Sequence, residues 1–236
     1  MPATLLRPLI VSLAILLPAG CVTLPTDRGT AQPVGNNEHT VANGLREALI
    51  VGTRRTIERT NRNDGYLADA LIRIALPEEL RSVSTRLRQV GLGSQVNELE
   101  VAMNRAAEQA AGEAASIFVD AIRSMRPADA YALLNGESDA ATRYLRERSE
   151  PALRASYRPI VRSRMTNVDA YGYYQTIADS WNRLPLVQPL SLNLEDYVTE
   201  QALDGLFVIL AQEEARIRKD PVARTTDLLR HVFGNN

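Results

Sequence analysis

The chain has 236 residues, of which 45% are hydrophobic, 23% charged and 5% aromatic, with one Cys, two His and a formal net charge of −1. That length suits one domain with or without a tail, and the apolar content excludes wholesale disorder. A near-neutral balance speaks against nucleic acid, one Cys excludes a disulfide framework or a four-Cys zinc site, and two His exclude a three-His metal centre.

The amino terminus reads as an address. Met1–Arg7 carries one basic side chain, Leu9–Leu17 (LIVSLAILL) is unbroken apolar chain, and Pro18-Ala19-Gly20 precedes Cys21. A bilayer core needs roughly 20 apolar residues as a helix, so this run suits a secretory signal over residues 1–20 rather than a span. The small pair Ala19-Gly20 before Cys21 resembles the lipobox of bacterial lipoproteins, although Pro18 stands where Leu is usual. The resemblance implies cleavage before Cys21, acylation of that residue, and a lipid bilayer as partner. Plain signal cleavage with a free thiol is the alternative. Val22 rather than Asp after the Cys implies, by the same resemblance, the periplasmic face of the outer membrane. Residues 21–40 form the acylated Cys and a tether rich in Thr, Pro, Gly and Asn, with His39 as an idle solvated side chain. Such a segment buries too little to order itself and reaches roughly 25 Å.

From Val41 to the end, helical spacing dominates and predicts one all-α domain of about six to eight helices. Leu45, Leu49 and Ile50 begin a helix running to about Arg59, followed by a turn at Asn63-Asp64-Gly65. Leu71–Leu76 (LIRIAL) is the one strand-like piece, an edge strand or an extended connector ending at Pro77. Pro77 starts the next helix, Glu78 and Glu79 favour its positive end, and Gly91 stops it. A long helix is expected from Ser94 to Met125, with an Ala-rich line through Leu99, Met103, Ala106, Ala110, Ala114, Ile117, Ala121 and Met125. Its other side carries Glu98, Arg105, Gln109, Glu113, Ser116 and Asp120, most simply a solvated face. After Arg126-Pro127 a short helix closes at Asn135-Gly136, and Ser138-Asp139 and Ser149-Glu150-Pro151 each resemble a further helix start. Beyond the Pro185–Pro189 loop, Leu194 to about Arg218 is helical, and Leu206–Leu210 within it is apolar on every side, which predicts burial all round. Gly205 there predicts a close contact, because glycine costs about 1 kcal/mol relative to Ala in a helix. Asp220-Pro221 ends that helix, and a last one runs from about Thr226 to Gly234.

Chemistry-bearing patterns are sparse. Neither His follows a Glu at the spacing of a di-iron bundle, and no EF-hand loop, nucleophile elbow or phosphate-binding glycine pattern occurs. Neither catalysis nor a cofactor or metal site is therefore assigned. Asp204, beside the most apolar segment, and Glu200, one turn earlier, are the candidates for catalytic carboxylates. The structural reading makes Asp204 a hydrogen-bonded carboxylate. All but one of the 27 basic residues are arginine, the exception being Lys219; a G+C-rich coding sequence gives the same bias. Arg224 and Thr226 could form an anion site with Arg216, Arg218 and Lys219, although Thr capping and a Glu214–Arg218 pair explain the same residues. Tyr171, Tyr174 and Trp181, with Tyr173 nearby, lie at offsets of three and seven on one helical face. They suit core packing or a groove for an acyl chain, a glycan or a partner.

Several strings together resemble the domain of unknown function 4197 family of Gram-negative bacteria. They are LREALIVGT (45–53), LPEELRSV (76–83), VNELEVAMNRAAEQAA (96–111), FVDAIRSM (118–125), DAATRYLRE (139–147) and the long run 196–234 from DYVTEQ to HVFG. The resemblance implies an exported, lipoprotein-like helical domain and transfers no catalytic residue. The expected function is a membrane-anchored periplasmic lipoprotein that binds or scaffolds, its partner another envelope protein or an amphipathic ligand. The alternative is an envelope hydrolase or metal-dependent enzyme using carboxylates.

Overall fold

The computed structural model describes residues 38–220, which form eight α-helices with no strand among them. In order these are α1 (Glu38–Thr60), α2 (Glu78–Gln89), α3 (Gly93–Ala111), α4 (Ala114–Arg123), α5 (Pro127–Leu134), α6 (Ala140–Asn167), α7 (Ala170–Asn182) and α8 (Leu194–Lys219). The all-α expectation holds. The helix expected over 226–234 lies outside the described residues.

The Ala-rich line decides the centre. Leu99, Met103, Ala106 and Ala110 are fully buried, and the small side chains let α3 take α6, α7 and α8 against it within one chain. Helix α6 packs on α8 and α3, while α1 is covered by α8, α5 and α4. Glu98, Gln109, Glu113, Ser116 and Asp120 are exposed, as a solvated face should be, whereas Arg105 is partly buried and paired with Asp64 and Glu108.

Four local expectations need correction. The helix begins at Glu38, so Glu38, His39 and Thr40 belong to α1 rather than to a tether. The expected helix from Ser94 to Met125 is two helices, parted at Gly112-Glu113. A side chain at Gly112 would meet the Asn61 amide at 2.9 Å, so the break admits the residue that follows α1. Conversely, the two starts expected at Ser138 and Ser149 are one helix, and α6 runs through Pro151 and Pro159. Each proline removes a hydrogen bond to the fourth residue before it. Glu147 and Ala155, which lose those donors, are exposed, so water can replace them, while Leu145, Leu153, Tyr157, Val161 and Met165 hold the opposite side in the core. Finally, Val208 is 42% exposed, so Leu206–Leu210 is buried on most sides but not all.

Leu71–Leu76 is the extended connector rather than a strand. Ile72, Ile74 and Leu76 are buried while Leu71, Arg73 and Ala75 are exposed, a period of two without a partner strand. Side chains replace the partner. The Asn104 amide accepts from the Ile74 N–H and donates to its carbonyl, both at 2.8 Å, and the Tyr197 hydroxyl donates to Ala75 at 3.0 Å. One turn further along α3, Glu108 accepts from the N–H groups of Tyr66 and Leu67 at 3.2 Å and pairs with Arg105 at 2.7 Å. The segment between α1 and α2 is thereby fixed to α3 by two buried polar side chains.

Candidate functional site

Helix α7 carries the aromatic face read from the sequence. Trp181 is buried, and Tyr171 and Tyr174 are partly buried. Much of this face holds down the following loop, residues 183–193. The Trp181 indole N–H donates to the Gln188 carbonyl at 3.0 Å, Asn182 accepts from the Leu190 N–H at 2.9 Å, and the Tyr174 hydroxyl accepts from the Leu192 N–H at 2.9 Å. Buried donors and acceptors need such partners, so the loop completes the aromatic face and is itself held in one path. Burial raises the pKa of the Tyr171 phenol, and the negative charge of Glu195 adds to the shift.

One side of Trp181 stays open. It lines a pocket of ≈ 230 Å³ with Arg86, Leu87 and Val90 of the α2 end, Leu92, and Ser180 and Leu184 of the α7 end. Val90 is 67% exposed and Leu184 44%, and Leu186, two residues on, is wholly exposed. Leu186 also has a left-handed backbone, φ 64°. The α2 side of this pocket is not legible in the sequence, because nothing in the spacing places Val90 beside Trp181. On the α7 side the sequence marks only the Pro185–Pro189 loop.

The candidate carboxylates are arranged differently. Asp204 is half-exposed and ion-paired with Arg146, which also binds Glu150 at 2.9 Å and lies 5.1 Å from the Phe207 ring centre. Glu200 is exposed one turn earlier. Asp204 thus serves a surface network across α6 and α8, matching the structural reading, and Glu200 does not join it. Among the described residues, no group of three His, Cys, Asp or Glu side chains is placed to hold a metal ion.

More buried acids lie elsewhere. Glu195 takes both oxygens to Arg162, at 2.7 and 2.9 Å, and accepts from Arg158 at 3.2 Å. The Arg162 hydrogen bonds lower its pKa against the opposing effect of burial. Glu214 accepts from the Ala141 and Thr142 N–H groups at 3.1 and 2.8 Å and pairs with Arg218 at 2.8 Å. The i,i+4 pair expected from the sequence is therefore present. Cys21, Arg224 and Thr226 lie outside the described residues.

The family described as protein of unknown function (DUF4197) matches residues 35–234. The chain belongs to this family. The match takes in every helix of the fold, the pocket at the α2 and α7 ends, and the Glu214–Arg218 pair. No curated protein and no solved structure matches the chain. Membership of DUF4197 brings no assigned activity with it, so function rests on the residues themselves.

Proposed function

We propose that this DUF4197 protein is an envelope lipoprotein, anchored through acylated Cys21 to the periplasmic face of the outer membrane, whose helical unit binds or scaffolds. The observation that carries the reading is the apolar run Leu9–Leu17 followed by Ala19-Gly20 and the chain's one cysteine. Two or more acyl chains hold a protein stably on a bilayer without a spanning helix. Among the described residues no helix is long and apolar enough to cross a membrane.

Support for the binding role comes from the kind of surface the helices present. The charged side chains named above are largely engaged with one another, and the open feature beside the aromatic face is an apolar pocket rather than a cluster of acids. A pocket edged by Trp181, Val90 and Leu184 suits an amphipathic ligand or an envelope partner. The hydrolase alternative needs converging carboxylates, and the Asp204–Arg146 pair with an exposed Glu200 gives it no support.

Intact mass spectrometry of the protein extracted from its own membranes tests the anchor. The expected mass is that of residues 21–236 plus acyl groups; a mass without acyl groups overturns it. Native spectra of the same sample test the binding role. Added mass that is lost on denaturation is the expected result, and a bare species under conditions that retain known lipoprotein ligands counts against it.

A further inference from the structure

We propose that the tip formed by the ends of α2 and α7 is a second membrane contact, which docks onto an anionic lipid surface. The inference rests on the envelope reading for the presence of a bilayer, but not on acylation. Seven large hydrophobic residues are exposed among those described; Val90 and Leu184 line the pocket at this tip, and Leu186 follows Leu184 by two residues. Leu186 is 106% exposed, more than an extended reference chain would expose it. Its left-handed backbone is unusual for a bulky residue, and the loop that carries it is held by the bonds from Tyr174, Trp181 and Asn182. Leu186 is thus presented outward on a fixed loop, while Leu184 lines the pocket.

Charge selects the partner. Most arginines of α6 and α8 are ion-paired, whereas Arg86, Arg88 and Arg183 have no ion pair among the described residues. Arg86 lines the pocket beside Val90 and Arg183 directly precedes Leu184, while Arg88 belongs to the same end of α2 without lining the pocket. Acids stand back from the tip. Glu78 and Glu79 occupy the first turn of α2, at its other end, and the first turn of α3 has none. Asp179 does not line the pocket and makes no ion pair there, although it lies one turn before Arg183. Protruding aliphatic side chains ringed by cations fit acyl chains beneath anionic headgroups, with the arginines held at headgroup depth.

The test uses the full chain carrying Cys21→Ser, exported without acylation, and flotation with phosphatidylethanolamine–phosphatidylglycerol vesicles (roughly 3:1) against pure phosphatidylcholine. Trp181 is the chain's one tryptophan and lines the pocket, so its emission reports docking directly. Flotation with the anionic vesicles and a blue shift of Trp181 are expected, both weakened by salt. Leu184→Ser with Leu186→Ser, and separately Arg86→Gln with Arg88→Gln and Arg183→Gln, should each weaken binding about tenfold or more. Leu71→Ser, at an exposed leucine outside the tip, should leave it unchanged. Circular dichroism confirms that each variant is folded. No flotation, flotation equal on both vesicle types, or flotation indifferent to the tip variants overturns the proposal. An acylated native chain whose unacylated form fails to float loses only this second contact; a non-acylated native chain that docks loses only the anchor.

Discussion

The ring of Tyr66 lies over Gly205 so closely that a methyl group there would stand 2.7 Å from Cε1, with Ile72 Cβ at 3.1 Å. The Tyr66 hydroxyl donates to the Ala202 carbonyl at 2.6 Å, less than one turn before that glycine. Helix α8 therefore receives the α1–α2 connection at the one place where it lacks a side chain. Gly205→Ala gains up to about 1 kcal/mol of helix propensity but overpacks a fully buried ring, which costs about 1–3 kcal/mol. Net destabilisation is the expected outcome in urea unfolding. A stabilised variant would mean that Tyr66 can withdraw.

Glu214 and Arg218 finish two helices they do not belong to. Glu214 meets the free N–H groups at the start of α6, while Arg218 donates to the carbonyls of Leu133 and Leu134 at the end of α5, at 2.8 and 2.9 Å. Glu214→Ala leaves buried N–H groups and a guanidinium without their carboxylate, a loss of about 3–5 kcal/mol. Arg218→Ala should also destabilise, and the double variant should fall well short of the sum of the two. Strict additivity in a double-mutant cycle would show that the two caps act independently.

Asn104 stands in for a β-strand along one residue of the connector. Asn104→Ala leaves the Ile74 N–H and carbonyl without partners in a buried site, which costs about 1–3 kcal/mol. Hydrogen exchange should report the loss first at the Ile74 amide, before the helices open. Unaltered protection at that amide would contradict the role given to Asn104.

Acid should loosen the contact between α6 and the start of α8. The Arg162 and Arg158 guanidinium groups hold the Glu195 carboxyl below its ordinary range. The stabilisation is thus present in full above the ordinary glutamate pKa of about 4.3, and is lost as pH falls through the lower folded value. Glu195→Gln should lower the melting temperature near neutral pH and flatten its fall on acidification. A variant whose acid limb matches the parent would show that other carboxylates set it.

Elements and their order were legible because the apolar spacing and the terminators agree. Leu99, Met103, Ala106 and Ala110 read as a buried stripe, Asn135-Gly136 as a stop, and both are so placed. Continuity was read wrongly in both directions, for one reason. Gly112 looks like an ordinary interior glycine until Asn61 is seen against it, and Ser149-Glu150-Pro151 looks like a helix start until Pro151 is seen on the solvent side of α6. Both outcomes depend on neighbours distant in the chain. The same holds for the tip: the sequence marks the Pro185–Pro189 loop, but the meeting of Leu184 with Val90 and Arg86 is a property of packing alone.

The position of the Glu214–Arg218 pair near the end of the described chain sets an order of events during synthesis. The corner between α5 and α6 is complete in sequence some seventy to eighty residues before its caps exist, the bonds spanning 72 to 85 positions. A chain still emerging can form individual helices, yet the polar groups at that corner stay hydrated until residue 218 is free to reach them. Closing such long loops is deferred until the contacts that reward it are available. The corner between α5 and α6 thus gains its caps only after residue 218 has been made.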